Sequence, residues 1–338
     1  DELDNNCSEV STGIADDFCY LSLDGSDAYW LSDDADDNVG VSYAGAGDIN
    51  QDGYDDLIIG GYRADGDGDG EDEGAAFIVY GSESIDGTQA SVQDADQIIV
   101  GNVDGDQFGY RVANIGDIDG DFYPDLAISA SLVSEHPSLT RSSNGAVYIF
   151  LGSNLESGFD GVADDADVWI YGDGNYDWIG ASLEPLGDLD GDGYDDFAVG
   201  SAGWDGPNNE TSQGGGHFIY YGSESVGDTS SWDAASADVV LTGDASNDRI
   251  GKAIAGIGDA NGDGCHDILI GGSLVQGLAS NSGALYLGLT EVGDDGFCGR
   301  FASGVVSDLD AVFYGGAADD QAGAAISPAG DVDGDGYD

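Results

Sequence analysis

Apolar residues in this chain come in short continuous runs, and over no useful length do they keep the period of an amphipathic helix. One set reads LIIGG from Leu57, LAISA from Leu126, FAVGS from Phe197 and ILIGG from Ile268. A second, opened by glycine and carrying an aromatic, reads GAAFIVYGS from Gly74, GAVYIFLGS from Gly145, GGHFIYYGS from Gly215 and GALYLGLTE from Gly283. A third reads DQIIVG from Asp96, DVWIYG from Asp167, DVVLTG from Asp238 and DAVFYG from Asp310. A fourth precedes them: VGVSYAGAG from Val39, FGYRVANIG from Phe108, IGASLEPLG from Ile179, IGKAIAGIG from Ile250 and AGAAISPAG from Ala322. Every set recurs with a period of roughly 70 residues, so the chain is a repeat of one supersecondary unit. Four short strands per unit, separated by Gly, Asp and Ser turns, predict the four-stranded antiparallel blade of an all-β β-propeller.

Between the Gly-led strand and the next apolar run lies an acidic nonapeptide. It reads DINQDGYDD from Asp48, DIDGDFYPD from Asp117, DLDGDGYDD from Asp188, DANGDGCHD from Asp259 and, cut short, DVDGDGYD from Asp331. Calcium takes six to eight oxygens from carboxylates, carbonyls and water. Acidic oxygens at positions 1, 3, 5 and 9, a glycine usually at 6 and a carbonyl at 7 suit that demand. Loop 1 offers Asp48, Asn50, Asp52 and Asp56 with the carbonyl of Tyr54. Loop 2 offers Asp117, Asp119, Asp121 and Asp125 with Tyr123, and loop 3 Asp188, Asp190, Asp192 and Asp196 with Tyr194. Loop 4 offers Asp259, Asn261, Asp263 and Asp267 with Cys265; loop 5 offers Asp331, Asp333, Asp335 and Tyr337. Four to five calcium ions are expected. An EF-hand is excluded, because it needs a bidentate Glu at position 12 and flanking helices. Position 12 here is Ile59, Ile128, Val199 and Ile270, inside a strand.

The Phe108-Gly109 opening, the DxDxDGxxD loops and the GA-x-aromatic strands resemble the FG-GAP repeats of the integrin alpha-subunit propeller, from about residue 27 to the end. The resemblance implies that each calcium loop joins the first and second strands of a blade on one face, and that seven blades close the ring. Two departures stand out: Phe122 replaces glycine at position 6, which predicts a distorted or weaker loop 2, and loop 5 stops at Asp338. The expected division is an extension over 1–26 and repeats at about 33–101, 102–172, 173–243, 244–315 and 316–338. Ala28–Ser32 reads as the fourth strand of a blade whose first three are missing. The 338 residues therefore read as part of a longer polypeptide, or as a chain whose open edges pair with a neighbour.

Charge narrows the partners. Six basic residues face 68 acidic ones, a net charge of −62, which opposes nucleic acid and anionic membrane surfaces. Self-repulsion of that size is relieved by calcium or by salt, since the Debye length is about 3 Å at 1 M; a saline habitat is one reading and the loops alone are the other. The absence of Met fits a processed chain, and no apolar stretch is long enough to span a bilayer. Four cysteines suggest two disulfides in a secreted protein, and the local one of three pairings joins Cys7 to Cys19 and Cys265 to Cys298. Asn6 and Asn209 open glycosylation sequons.

Other chemistry is sparse. Asp65, Asp67, Asp69 and Glu71 alternate in a run that reads as a solvated loop or a further cation site. Trp204, Asp205, Asn208, Asn209 and Glu210 share a rim loop that could face a sugar. His136, His217 and His266 form no metal pair, and no catalytic elbow, Walker loop or dinucleotide fingerprint is present. His217 lies on a core-type strand. The reading is a secreted or surface calcium-binding propeller for adhesion or recognition, not an enzyme, with an extracellular protein or glycan partner or copies of itself. The alternatives are a self-assembling element of a fibre or surface layer, and an accessory domain of a secreted polysaccharide- or lipid-degrading enzyme.

Overall fold

The computed structural model describes residues 29–32, 36–66, 72–83, 89–131, 144–155, 159–172, 177–206, 213–228, 231–293 and 296–334. Four blades of a β-propeller follow one another. Blade 1 comprises Val39–Gly47, Asp56–Gly61, Ala75–Val79 and Gln97–Val100. Blade 2 comprises Phe108–Gly116, Asp125–Ala130, Ala146–Phe150 and Val168–Tyr171. Blade 3 comprises Ile179–Gly187, Asp196–Ser201, Gly216–Tyr220 and Val239–Thr242. Blade 4 comprises Ala253–Gly258, Asp267–Gly272, Ala284–Gly288 and Ala311–Tyr314. Within each blade the strands pair antiparallel in sequence order.

The core lies between blades, which explains why the second strands are apolar throughout. In blade 1, Ile58 packs toward blade 2 with Ile78, Phe108 and Ile128, while its neighbour Ile59 packs on the opposite face with Phe77 and Trp30. Alternate side chains thus bury against different neighbours. The aromatics of the GA-x-aromatic strands, Phe77, Tyr148, Phe218 and Tyr286, are all buried in these layers. Burying each such side chain contributes roughly 2–3 kcal/mol.

The Gly-led opening is a close approach between blades. Phe108 pairs with Ala130 and Arg111 with Ser129, so the strand bulges at the residues between. Gly109 has φ +81°, and a Cβ there would lie 2.2 Å from the carbonyl oxygen of Ala75 in blade 1. No larger residue fits. Main-chain bonds cross this seam and its equivalents further along the chain: Phe108 N–H donates to Glu73 O, Ile179 to Asn144 O, Ile250 to Gly214 O and Ala322 to Ser282 O.

A further strand was not expected from the repeat. The segment before each outer strand pairs in parallel with the outer strand of the preceding blade: Gly161–Val162 on Gln97–Val100, Ser231–Asp233 on Val168–Tyr171, and Gly304–Val305 on Val239–Thr242. Tyr29–Leu31 pairs in the same way with Gln89–Ser91, which gives it the place of an outer strand. Blades 1, 2 and 3 are therefore each stapled by the next. Among the described residues nothing plays this part for blade 4, whose outer strand leaves Phe313 56% exposed.

Candidate metal centres

The first four acidic nonapeptides each join the first and second strands of a blade, and each loop's backbone organises its own carboxylates. In loop 2, Asp117 Oδ1 accepts the N–H groups of Gly120 and Asp121 at 2.8 and 3.0 Å, and Oδ2 accepts that of Phe122 at 2.9 Å. Asp119 Oδ1 accepts from Asp121, and Asp121 Oδ1 accepts from Tyr123. Loop 3 repeats the pattern with Asp188, Asp190 and Asp192, donating from Gly191, Asp192, Gly193 and Tyr194. Loop 4 repeats it with Asp259, Asn261 and Asp263, the last accepting from Cys265. Loop 1 does so with Asp48, Asn50 and Asp52, the last accepting from Tyr54.

Two positions in the loop adopt positive φ. Position 6 does so in Gly53, Gly193 and Gly264, and also in Phe122 at +72°. Position 4 does so in Gly120, Gly191, Gly262 and Gly334, and in Gln51 at +56°. The position-4 glycines recur in the sequence as plainly as those at 6 and carry the same conformational demand. Loop 2 keeps the hydrogen bonds of loop 3 despite Phe122, so the expected distortion of its turn is not seen; the ring is 88% exposed and the backbone strain costs about 1 kcal/mol.

Position 9 has a second task. Asp125 Oδ2 accepts the N–H of Ile118 in its own loop at 2.8 Å, while Oδ1 accepts that of Gly152, beyond the third strand, at 2.7 Å. Asp196 spans Leu189 and Gly222, Asp56 spans Ile49 and Gly81, and Asp267 spans Ala260 and Thr290 in the same way. This aspartate clamps the loop to the sheet.

Carboxylate oxygens of Asp117, Asp119 and Asp125 all lie within 4.8 Å of one another, as do those of Asp188, Asp190 and Asp196. Positions 1, 3 and 9 therefore converge, and position 5 stands outside that trio. In loops 1 and 4 position 3 is Asn50 or Asn261, which lowers the charge gathered there. Burial pushes the carboxyls of Asp125 and Asp196 up to about 8 against the pull of their backbone donors, and the neighbouring aspartates push the same way. Burial likewise raises Asp56, Asp119, Asp192 and Asp267. Among the described residues no ion pair reaches Asp117, Asp119 or Asp125. An all-oxygen trio of crowded carboxyls, partly buried and in loop 2 without a protein cation among the described residues, fits a hard divalent ion.

Adjacent loops also touch. A Cβ on Gly47, Gly116 or Gly187, the residue before loops 1, 2 and 3, would meet Pro124, Asp195 or His266, each at position 8 of the following loop. Asp117 N–H donates to Asp195 Oδ2 at 2.9 Å, and Asp195 N–H returns a bond to Asp117 O. The loops thus form a contiguous row along one face. Of loop 5, Asp331 Oδ1 accepts from Gly334 and Asp333 is exposed; Asp335 and Tyr337 lie outside the described residues.

A family model described as FG-GAP repeat matches residues 108–150 and 180–219, the stretches that contain loops 2 and 3. The chain carries FG-GAP repeats. Among curated proteins it is similar to integrin alpha-5 of Xenopus laevis, 30% identical over 164 residues, which cover 47% of this chain and 14% of that protein. Integrin alpha-PS2 of Drosophila melanogaster is 34% identical over 126 residues, 37% and 8% of the two chains. Integrin alpha-6 of Homo sapiens is 31% identical over 154 residues, 46% and 12%. The chain spans about a seventh or less of the length of these relatives.

Cys265 and Cys298 form a disulfide, with Cα atoms 5.6 Å apart; Cys7 and Cys19 lie outside the described residues. Trp204 does not face solvent. It is 5% exposed and meets Phe218 edge to face at 5.0 Å, because the apolar layer between blades 2 and 3 claims it. The suggested sugar face is therefore withdrawn for Trp204; Asn208, Asn209 and Glu210 lie outside the described residues, as do Asp67, Asp69, Glu71 and His136. His217 is fully buried, its Nε2 accepts the N–H of Gly251 at 3.1 Å, and burial holds its pKa down at about 3. It is a packed acceptor between blades 3 and 4. Thr290 Oγ1 donates to the His266 carbonyl oxygen. The inner strands of blades 1–3 enclose a cleft of about 510 Å³ lined by Ser42, Arg111, Asn114 and Glu184 among others. Burial raises Glu184 to about 7 against the opposing charge of Arg111.

Proposed function

We propose that this chain is a calcium-stabilised propeller that works in adhesion or recognition outside the cell or on its surface. The observation that carries the reading is the convergence of Asp117, Asp119 and Asp125, and of Asp188, Asp190 and Asp196, in partly buried trios, the first of which no protein cation reaches among the described residues. In each loop the residues at positions 1, 3, 5 and 9, with the carbonyl at 7, would hold one ion. Bound calcium supplies positive charge that lets buried carboxylates stay ionised next to one another. The protein does the rest: backbone N–H groups aim the carboxylates, and the position-9 clamp ties each loop to the sheet. The contiguous row of loops stiffens one face, which suits a recognition surface. Similarity to integrin alpha subunits supports the extracellular setting.

Beads coated with the chain should bind panels of extracellular proteins or glycans in millimolar calcium and release them in EDTA. Binding that persists unchanged in EDTA, or turnover of a glycan in place of binding, counts against the reading.

A further inference from the structure

Loop 3 differs from loop 2 in one respect that the repeat does not explain. The guanidinium of Arg300 contacts Asp190 Oδ2 and lies 3.5 Å from Asp192 Oδ2, on the position-3 and position-5 carboxylates. Asp190 is buried, while Arg300 is half exposed and stacks over the Tyr221 ring, 4.3 Å from its centroid. Arg300 is one of only six basic residues in the chain. Its place is fixed by a strap. The disulfide from Cys298 ends on Cys265, position 7 of loop 4, and a Cβ on Gly191 of loop 3 would lie 3.5 Å from Cys298 N. Gly299 N–H donates to Glu291 O, and Phe301 N–H donates to the Tyr221 hydroxyl at 3.0 Å. Residues on both sides of Arg300 are therefore pinned, and the disulfide sits at the junction of loops 3 and 4.

We infer that Arg300 is a tethered counter-cation that sets the affinity of loop 3, making its divalent site weaker than loop 2, which has no such partner among the described residues. The inference rests on the proposal that the loops bind calcium. A guanidinium on a ligand carboxylate repels an incoming divalent ion a few ångströms away, and it occupies an oxygen the ion could use. In the ion-free chain the same contact offsets part of the repulsion among Asp188, Asp190 and Asp196. Loop 3 then stays ordered while its site fills after that of loop 2.

The test is equilibrium dialysis of radioactive calcium against the full chain, comparing wild type with Arg300→Ala and Arg300→Lys. Arg300→Ala should tighten one site about tenfold, and Arg300→Lys, which keeps the charge, should restore most of the weakness. The effect should vanish in an Asp188→Asn background, where loop 3 is disabled. Replacing Cys265 and Cys298 by Ser releases the strap and should tighten the same site. An isotherm unchanged or weakened by Arg300→Ala overturns the inference while the other sites still bind. Calcium binding by none of these proteins overturns the metal reading together with it.

Discussion

Loops 2 and 3 carry the same residues at the five predicted ligand positions and stand in different surroundings. Loop 2 accepts Phe122 where glycine belongs, at a φ of +72°, and no arginine approaches its carboxylates among the described residues. Loop 3 has Gly193 in that place and Arg300 on Asp190. Both assemble the same trio. Trio geometry is therefore set by the position-1, 3 and 5 turns and the position-9 clamp, while the charge beside the trio is set from outside the nonapeptide. A loop motif fixes where oxygens go, and its surroundings fix what charge they see.

The largest effect expected is on removal of calcium, which acts on both loops. A native-only site at 100 times its dissociation constant contributes about 2.7 kcal/mol. Several sites together should raise the melting temperature by on the order of 10 °C or more over that in EDTA. Coincident calorimetric traces would break the comparison at its root.

Next comes the division of labour within loop 2. Asp125→Ala leaves the N–H groups of Ile118 and Gly152 without their acceptor and should cost about 3 kcal/mol even in EDTA. Asp119→Ala should matter chiefly when calcium is present. Denaturant unfolding of both variants with and without the ion separates clamp from ligand; equal losses in EDTA would refute that division.

Glu184 supplies a carboxylate raised by burial, which the charge of Arg111 offsets only in part. Its folded pKa of about 7 lies above the unfolded value, so its protonated form favours the native state. Stability from this group is complete below the unfolded pKa, near 4.5, and is lost as pH climbs through about 7. Glu184→Gln should then stabilise by about 1 kcal/mol at pH 8 and have little effect at pH 4. A pH-independent difference in urea midpoints would argue against it. Smallest is Phe122→Gly, which removes the strained φ and should stabilise loop 2 by up to about 1 kcal/mol, offset by the added freedom of glycine in the unfolded chain. A loss of stability would mean that the exposed ring makes contacts that outweigh the strain.

Much of this was legible in the residue order. The continuous run LIIGG declares a strand buried on both sides, and Ile58 and Ile59 do turn to opposite interfaces. Cys265 and Cys298 pair as their proximity in the repeat suggests. Trp204 misled, because a tryptophan among amides and carboxylates looks the same in a sequence whether it lines a rim or fills a layer. The parallel staple strands escaped notice because Gly161–Val162 and Gly304–Val305 are too short to show a period.

The sequence by itself determined the blade, its repeat and the nonapeptides, because ligand spacing, turn glycines and apolar runs act over a few consecutive residues. Only the tertiary structure decided that Asp125 clamps its loop to the sheet, that Asp195 reaches back to loop 2, and that Arg300 rests on Asp190. Those contacts join residues brought together by the stacking of blades, and long-range contacts of that kind leave no local period to read.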